Sequence, residues 1–160
     1  MNNTMANDVR SQFDRAFNTI RRIIEAFPEE NWLTPHGDEY YIPSSIAYHL
    51  ASYIDSRVAG GYKDPDFRSK LPYGDWHGIT LERLPGKSAL LSYYDEAIAR
   101  ANNALSAIND DDISALLPPE MSRMGVSQMG AYLGMMREIS AHTGEMNKML
   151  IENGIDDIWM

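Results

Sequence analysis

Apolar side chains recur at helical spacing over residues 126–153, the longest periodic stretch of the chain. Most spacings are three or four residues, which brings the side chains to one face of an α-helix. Residues 9–27, 46–58 and 88–108 show the same pattern, and no stretch alternates with the period of two that is typical of a strand. The sequence therefore predicts an all-α fold, a four-helix bundle.

The connections between the predicted helices are longer than tight hairpins. Pro28 ends the first helix, and Ser44 or Ser45 is the predicted N-cap of the second. Residues 62–86 are rich in proline, glycine and aromatic residues. This connection either crosses the end of the bundle with its aromatic side chains in the core, or covers a functional site. We expect one domain over residues 1–160.

Three smaller features complete the predicted architecture. A short helical turn is expected at residues 113–117, and the tail, residues 155–160 with Trp159, is expected to fold back onto apolar surface. The last long helix contains three glycines, each of which costs roughly 1 kcal/mol relative to alanine. Close packing or access for a ligand would explain them: Gly130, Gly134 and Gly144.

Composition excludes several classes of function. The net charge is −9 and the basic residues are scattered, which argues against a nucleic-acid or anionic-membrane surface. The chain has no cysteine, so disulfides, thiolate metal sites and a cysteine nucleophile are excluded. Its first residues do not form a signal peptide, and no apolar run reaches the length of about 20 residues that spans a membrane. We expect a cytoplasmic protein.

One pair of polar residues stands out in the apolar stretch of the last helix. Glu138 and His142 are four residues apart and therefore share a face of that helix. Buried ionisable groups are costly unless they are paired, hydrogen-bonded or bound to metal. His49 lies beside the apolar stripe of the second helix and can supply a third metal ligand if the two helices face each other. Three protein ligands leave room for water or substrate, as in catalytic zinc sites.

Other interpretations of these residues remain open at this stage. A single histidine at the margin of a core is often a hydrogen-bonding residue, and Glu138 can pair with Arg137, Lys148 or a tyrosine. A second Glu/His pair of the kind used by di-iron bundles is absent, which favours one metal ion over two. The two remaining histidines lie in predicted loops, where solvation or capping is expected: His36 and His77.

Two motifs resemble the DinB-like (DNA-damage-inducible) superfamily of four-helix metalloproteins. They are PSSIAYHLA at residues 43–51 and EISAHTGEM at residues 138–146. The second resembles the family signature in which a ligand is followed four residues later by histidine and then by glycine. Many members have histidine where this chain has Glu138. The order of histidine, glutamate and histidine resembles the branch that contains mycothiol-dependent maleylpyruvate isomerase.

The resemblance implies a divalent metal ion, zinc or nickel, held by His49, Glu138 and His142. It also implies a small-molecule substrate, because characterised relatives are transferases and isomerases that use low-molecular-weight thiols. Since the chain lacks cysteine, the thiol would be a cofactor such as bacillithiol, mycothiol or glutathione. Tyr53 is the expected donor of a hydrogen bond to developing charge, and Arg57 and Arg137 are expected to hold carboxylates of substrate or cofactor.

Two rival functions stay open beside a thiol S-transferase or isomerase. One is a metal-dependent hydrolase. The other is a non-catalytic metal-binding bundle that acts through a partner or through a homodimer surface, since an all-α bundle with exposed apolar seams is able to dimerise. Metal content and thiol-dependent turnover distinguish these functions.

Overall fold

A computed structural model describes residues 3–37 and 41–158, without the side chains of residues 120 and 122. This part of the chain is helical and contains no β-strand, which confirms the all-α prediction; its one β-type contact is an isolated bridge between Leu116 and Ser127. The α-helices are α1 Thr4–Ala26, α2 Pro43–Tyr53, α3 Lys87–Ser106, α4 Asp110–Ser114 and α5 Gln128–Glu152.

The four longer helices contact one another in a closed ring. α1 packs against α3 and α5, and α2 packs against the same two helices from the other side. The short α4 lies against α1 and α5. The apolar face of α5 is buried over most of its length, but Leu133, which belongs to the predicted apolar run, is 64% exposed. The largest fully buried side chains are Trp32, Tyr48, Tyr94, Phe13 and Phe27.

Contacts between α1 and α4 explain why both helices begin earlier than the apolar pattern predicts. α1 starts at Thr4 rather than at residue 9, and Ala6 is the one buried side chain of its first turn. Its backbone N–H donates to Oδ1 of Asp110, 2.9 Å away, which ties the start of α1 to α4. α4 itself begins three residues before the predicted turn because Asn109 caps it, accepting from the backbone N–H of Asp112.

The prediction that Ser44 or Ser45 caps α2 is wrong. Pro43 occupies the first turn and no side chain caps the helix. Ser44 is buried instead, and its hydroxyl group donates to the carbonyl oxygen of Pro85 at 2.7 Å. The indole N–H of Trp32 donates to the same carbonyl at 2.9 Å. The hydroxyl group therefore fastens the long connection to α2 rather than capping the helix.

A wider π-helical turn, Ile54–Val58, continues α2. Its defining bond runs from the backbone N–H of Ala59 to the carbonyl oxygen of Ile54, at 2.9 Å. Gly60 ends the helix with φ of +85°, the left-handed conformation that favours glycine, as the sequence predicts. π-Turns within helices often occur at functional sites.

The long connection, residues 62–86, carries short structure of its own and lies against α2. The hydroxyl group of Tyr48 donates to the carbonyl oxygen of Gly74 at 2.5 Å. Tyr73 and Trp76 pack against the core, and the ring of Trp76 also lies beside His49. The expectation that its aromatic side chains enter the core is therefore partly right, whereas its role over a functional site stays a prediction. Its 3₁₀ turns are Gly61–Lys63, Phe67–Lys70, Trp76–Gly78 and Leu81–Arg83.

The tail folds back onto the helices as far as the structure describes it. Ile155 and Ile158 pack against the core, and the backbone N–H of Ile158 donates to Oδ1 of Asn147 at 3.1 Å. Trp159, which the sequence also placed in this contact, lies outside the described residues. None of the described helices combines the length and apolarity needed to cross a bilayer.

Candidate metal centre

The contact between α2 and α5 brings three potential metal ligands together. Oε1 of Glu138 lies 3.5 Å from Nε2 of His49 and 3.3 Å from Nε2 of His142. One ligand atom from each residue lies within 4.8 Å of the others, and all three side chains are partly buried. Helical geometry explains the arrangement, because residues four apart on α5 share a face and that face meets α2 beside His49.

These spacings fit a small divalent ion. Donor atoms of a tetrahedral site with bonds of about 2.0–2.1 Å lie about 3.4 Å apart, close to the two distances at Glu138. Lone pairs of three basic atoms repel each other unless a proton or a cation lies between them. Two imidazoles and one carboxylate form a donor set typical of zinc sites with an open position.

A carboxylate lies behind one of these histidines. Nδ1 of His142 is 2.7 Å from Oε2 of Glu145, which is three residues further along α5. In the tautomer with a proton on Nδ1, His142 donates to this carboxylate, and its Nε2, on the side of Glu138, is then available to bind a metal ion. Metal-binding histidines usually have such a partner. Sequence reasoning missed Glu145, although its spacing of three residues from His142 was a readable signal.

Aromatic rings surround His49. The ring centroids of His49 and Trp76 are 5.7 Å apart, and those of His49 and His142 are 4.8 Å apart in an edge-on arrangement. Burial lowers the pKa of His49, and the nearby His142 lowers it further, against the opposing effect of Glu138. His49 therefore favours the neutral form, which is the form that binds metal.

The other predicted site residues lie beside this cluster of potential ligands. Tyr53 is half-buried one turn after His49, and burial raises the pKa of its hydroxyl group, with the negative charge of Glu138 adding to the effect. The hydroxyl group therefore stays protonated at neutral pH and is able to donate a hydrogen bond. Arg57 lies in the π-turn, 5.8 Å from the ring centroid of Tyr62, and Arg137 is exposed on α5 beside Glu138.

The other two histidines and Lys148 lie outside this cluster. His77 lies over Asp75, with Nδ1 3.2 Å from Oδ1, and Nε2 of His36 is 3.3 Å from the amide nitrogen of Asn153. Lys148 pairs with Glu152. Glu138 faces His49 and His142 rather than Arg137, Lys148 or a tyrosine hydroxyl group, its alternative partners.

Two cavities open beside the cluster and share Tyr53, Arg57 and Glu138. The first, of about 560 Å³, is also lined by His49 and by aromatic side chains of the long connection, Trp76 among them. The second, of about 650 Å³, is lined by residues of α5 and of the segment before it, including Arg137. Both volumes suit a small molecule.

Comparisons with known proteins do not show the family of this chain. No protein-family model matches this chain. A 98-residue segment is 33% identical to part of a glutamate–tRNA ligase from Verminephrobacter eiseniae. The matched segment is 60% of this chain and 18% of the ligase. So partial a match shows neither the family of this chain nor its activity.

Proposed function

We propose that this chain is a mononuclear divalent-metal enzyme of the DinB-like superfamily that uses a low-molecular-weight thiol in an S-transfer or isomerisation reaction. The observation that carries the proposal is the convergence of His49, Glu138 and His142, with Glu145 behind His142. The closed ring of four longer helices supports the four-helix-bundle architecture of that superfamily. Zinc or nickel suits two imidazoles and one carboxylate.

The chemistry follows from the donor set and its surroundings. A divalent metal held by these ligands acts as a Lewis acid and lowers the pKa of a bound water or thiol. The chain has no cysteine, so the thiol is a second small molecule rather than a side chain. Tyr53, protonated at neutral pH, donates a hydrogen bond to charge that develops on the substrate.

Two cavities that meet at the metal ligands suit a reaction with two small reactants. Tyr53 and Glu138 line both cavities, so molecules in the two spaces approach one another at the proposed metal. Holding two reactants in one geometry removes much of the entropic cost of their encounter. A hydrolase needs one organic substrate, so the second cavity favours the transferase or isomerase over that alternative.

The similarity to a tRNA ligase does not enter the proposal. The aligned segment is 18% of the ligase, and a ligase activity belongs to the whole enzyme. The net charge of −9 also argues against tRNA binding.

Elemental analysis of protein purified without added metal is the first test. We expect about one zinc or nickel ion per chain, lost in His142→Ala and Glu138→Gln. His36→Ala is the matched control, because His36 lies outside the cluster and should leave the metal content unchanged. Wild-type protein that binds no added zinc or nickel would contradict the proposed site.

An activity screen then distinguishes the enzyme from its rivals. Glutathione, bacillithiol and mycothiol are tested with an electrophile such as chlorodinitrobenzene. We expect metal-dependent turnover with at least one thiol, and a loss of turnover in Tyr53→Phe of about 10- to 100-fold. Turnover of ester substrates without any thiol would favour the hydrolase. A metal-loaded protein with neither activity would favour the non-catalytic bundle.

A further inference from the structure

Three arginines line the second cavity. They come from separate parts of the chain: Arg57 from the π-turn, Arg123 from the segment before α5, and Arg137 from α5. The one carboxylate among the lining residues is Glu138, which is also a proposed metal ligand. With Glu138 facing the two histidines, the cavity has an excess of positive charge in a chain whose net charge is −9.

None of these three arginines forms an ion pair with a carboxylate whose side chain the structure describes. Other arginines of the chain do have such partners: Arg21 with Asp95, Arg68 with Asp75, and Arg100 with Asp55. Arg57 is held by neutral groups instead, the ring of Tyr62 and the sulfur atom of Met124. These contacts orient the guanidinium group without neutralising its charge.

Two glycines in the lining leave space for a ligand in this cavity. Gly130 and Gly134 of α5 line it, and the nearest atom to a side chain added at Gly134 is the carbonyl oxygen of Met124, at 3.7 Å. The cavity volume of about 650 Å³ lies within the usual range for small-molecule sites. Guanidinium groups bind carboxylates and phosphates through paired N–H donors, which favours an anion there.

We propose that this cavity binds the oxyanion group of the substrate, a carboxylate or a phosphate, through Arg57, Arg123 and Arg137. The bound anion directs the rest of the molecule past Tyr53 toward the metal ligands. This orientation rests on the function proposed above, whereas the anion site itself does not. Sequence patterns could not select Arg123 as a binding residue, because it lies in a connecting segment without periodicity.

Anion binding is measured by titration calorimetry at low salt, on metal-loaded protein and on protein stripped with a chelator. Succinate and inorganic phosphate are the probes, and uncharged succinamide is the control ligand. We expect one of the two anions to bind both forms of the protein, and the tighter of them identifies the oxyanion chemistry. Succinamide should bind at least tenfold more weakly than the preferred anion.

Substitutions assign the binding to this cavity. Arg123→Gln and Arg137→Gln should each weaken binding about tenfold, and Gly134→Leu should weaken it by filling the space without removing charge. Arg22→Gln is the control, because Arg22 is exposed on α1 and outside the cavity. Both arginines under test are exposed, so their loss leaves the fold intact. Equal affinities in Arg123→Gln and Arg22→Gln, or equal binding of succinamide, would overturn the proposal.

The metal content of the same samples separates the two proposals. Anion binding that depends on Arg123 in a protein that binds no metal would support the anion site and contradict the proposed metal enzyme. A metal-loaded protein that binds neither anion would support the metal site and contradict the anion site.

Discussion

Nδ1 of His142 lies 2.7 Å from Oε2 of Glu145, while Nε2 of the same ring lies 3.3 Å from Oε1 of Glu138. One face of α5 therefore supplies both a potential metal ligand and a carboxylate that can orient it. A carboxylate behind a histidine fixes the tautomer and raises the basicity of the metal-binding nitrogen. The centre thus extends one turn beyond the three residues that would touch the metal.

We expect Glu145→Gln to lower metal affinity about 10-fold, and Glu145→Ala to lower it more, up to about 100-fold. The amide still accepts a hydrogen bond from Nδ1 but lacks the negative charge, whereas alanine loses both. Competition with a chromophoric zinc chelator measures the affinities. Glu152→Gln, at the end of the same helix, is the control and should bind metal like the wild type. Equal affinity in all three variants would show that Glu145 has no part in the site.

How much the sequence could predict depended on whether the contacts were local. The spacing of Glu138 and His142 is a property of one helix, so it could be read directly. His49 required the further assumption that its helix faces the last one, which the contact between α2 and α5 supports. The distances among the three residues agree with the hypothesis of a metal site, although their roles stay predictions.

Contacts made by connecting segments could not be predicted in the same way. Trp76, in the long connection, lies beside His49, and Arg123, in the segment before α5, lines the second cavity. Neither position has a periodic pattern that fixes where its side chain points. The failed prediction for Ser44 has the same origin, because the partner of its hydroxyl group, Pro85, lies 41 residues away in the sequence. Local rules for capping cannot anticipate such a partner.

An ion pair between Asp55 of the π-turn and Arg100 of α3 should contribute measurably to stability. Both oxygens of Asp55 accept from Arg100, at 2.8 and 2.9 Å, and the Asp55 side chain is 10% exposed. Removing one partner of a buried pair leaves an uncompensated charge. Since the Arg100 side chain is 46% exposed and water reaches part of the pair, we expect Arg100→Met to lower the free energy of unfolding by about 2 kcal/mol.

Urea denaturation measures this loss, with Arg22→Met as the control that should change stability by less than about 0.5 kcal/mol. The double variant Asp55→Asn/Arg100→Met should be more stable than the sum of the two single losses predicts, because both substitutions remove the same interaction. Strict additivity would mean that the pair does not act as a unit.

Ionisation of Tyr93 should lower the stability of the folded protein at alkaline pH. Its hydroxyl group donates to Oδ2 of Asp55 at 3.1 Å, and burial, with the charge of Asp55 adding to it, raises the pKa of Tyr93. The protonated form is therefore favoured more in the folded state than in the unfolded state. The resulting stability is fully present below the unfolded pKa of 10 and is lost as the pH rises above it.

We expect Tyr93→Phe to be less stable than the wild type by about 1 kcal/mol at pH 8, because a buried hydrogen bond is lost. Between about pH 10 and 11 the difference should shrink, since unfolded wild-type chains gain stability by ionising Tyr93 and the variant has no such group. Urea denaturation across this range measures the difference. Ionisation of the other tyrosines affects the wild type and the variant equally and therefore cancels. A difference independent of pH would contradict this account.

The glycines near α5 should respond to alanine in opposite ways. A side chain added at Gly144 meets no atom within 4 Å beyond its chain neighbours, so close packing does not explain the glycine there. At Gly125, φ is +143° and an added Cβ would lie 2.9 Å from the backbone carbon of Gly130. The segment before α5 therefore approaches the helix closely at this point, and the backbone conformation itself excludes other residues.

We expect Gly144→Ala to raise the free energy of unfolding by roughly 0.5–1 kcal/mol, since alanine is the better helix former. Gly125→Ala should lower it by more than about 1 kcal/mol through backbone strain and the contact with Gly130. Thermal unfolding measures both changes, which correspond to a few degrees in Tm for a chain of this size. Gly144→Ala should also leave metal binding unchanged, because no side-chain atom of His142 lies within 4 Å of the added methyl group. Destabilisation by alanine at position 144 would instead indicate a packing constraint that the open space there does not explain.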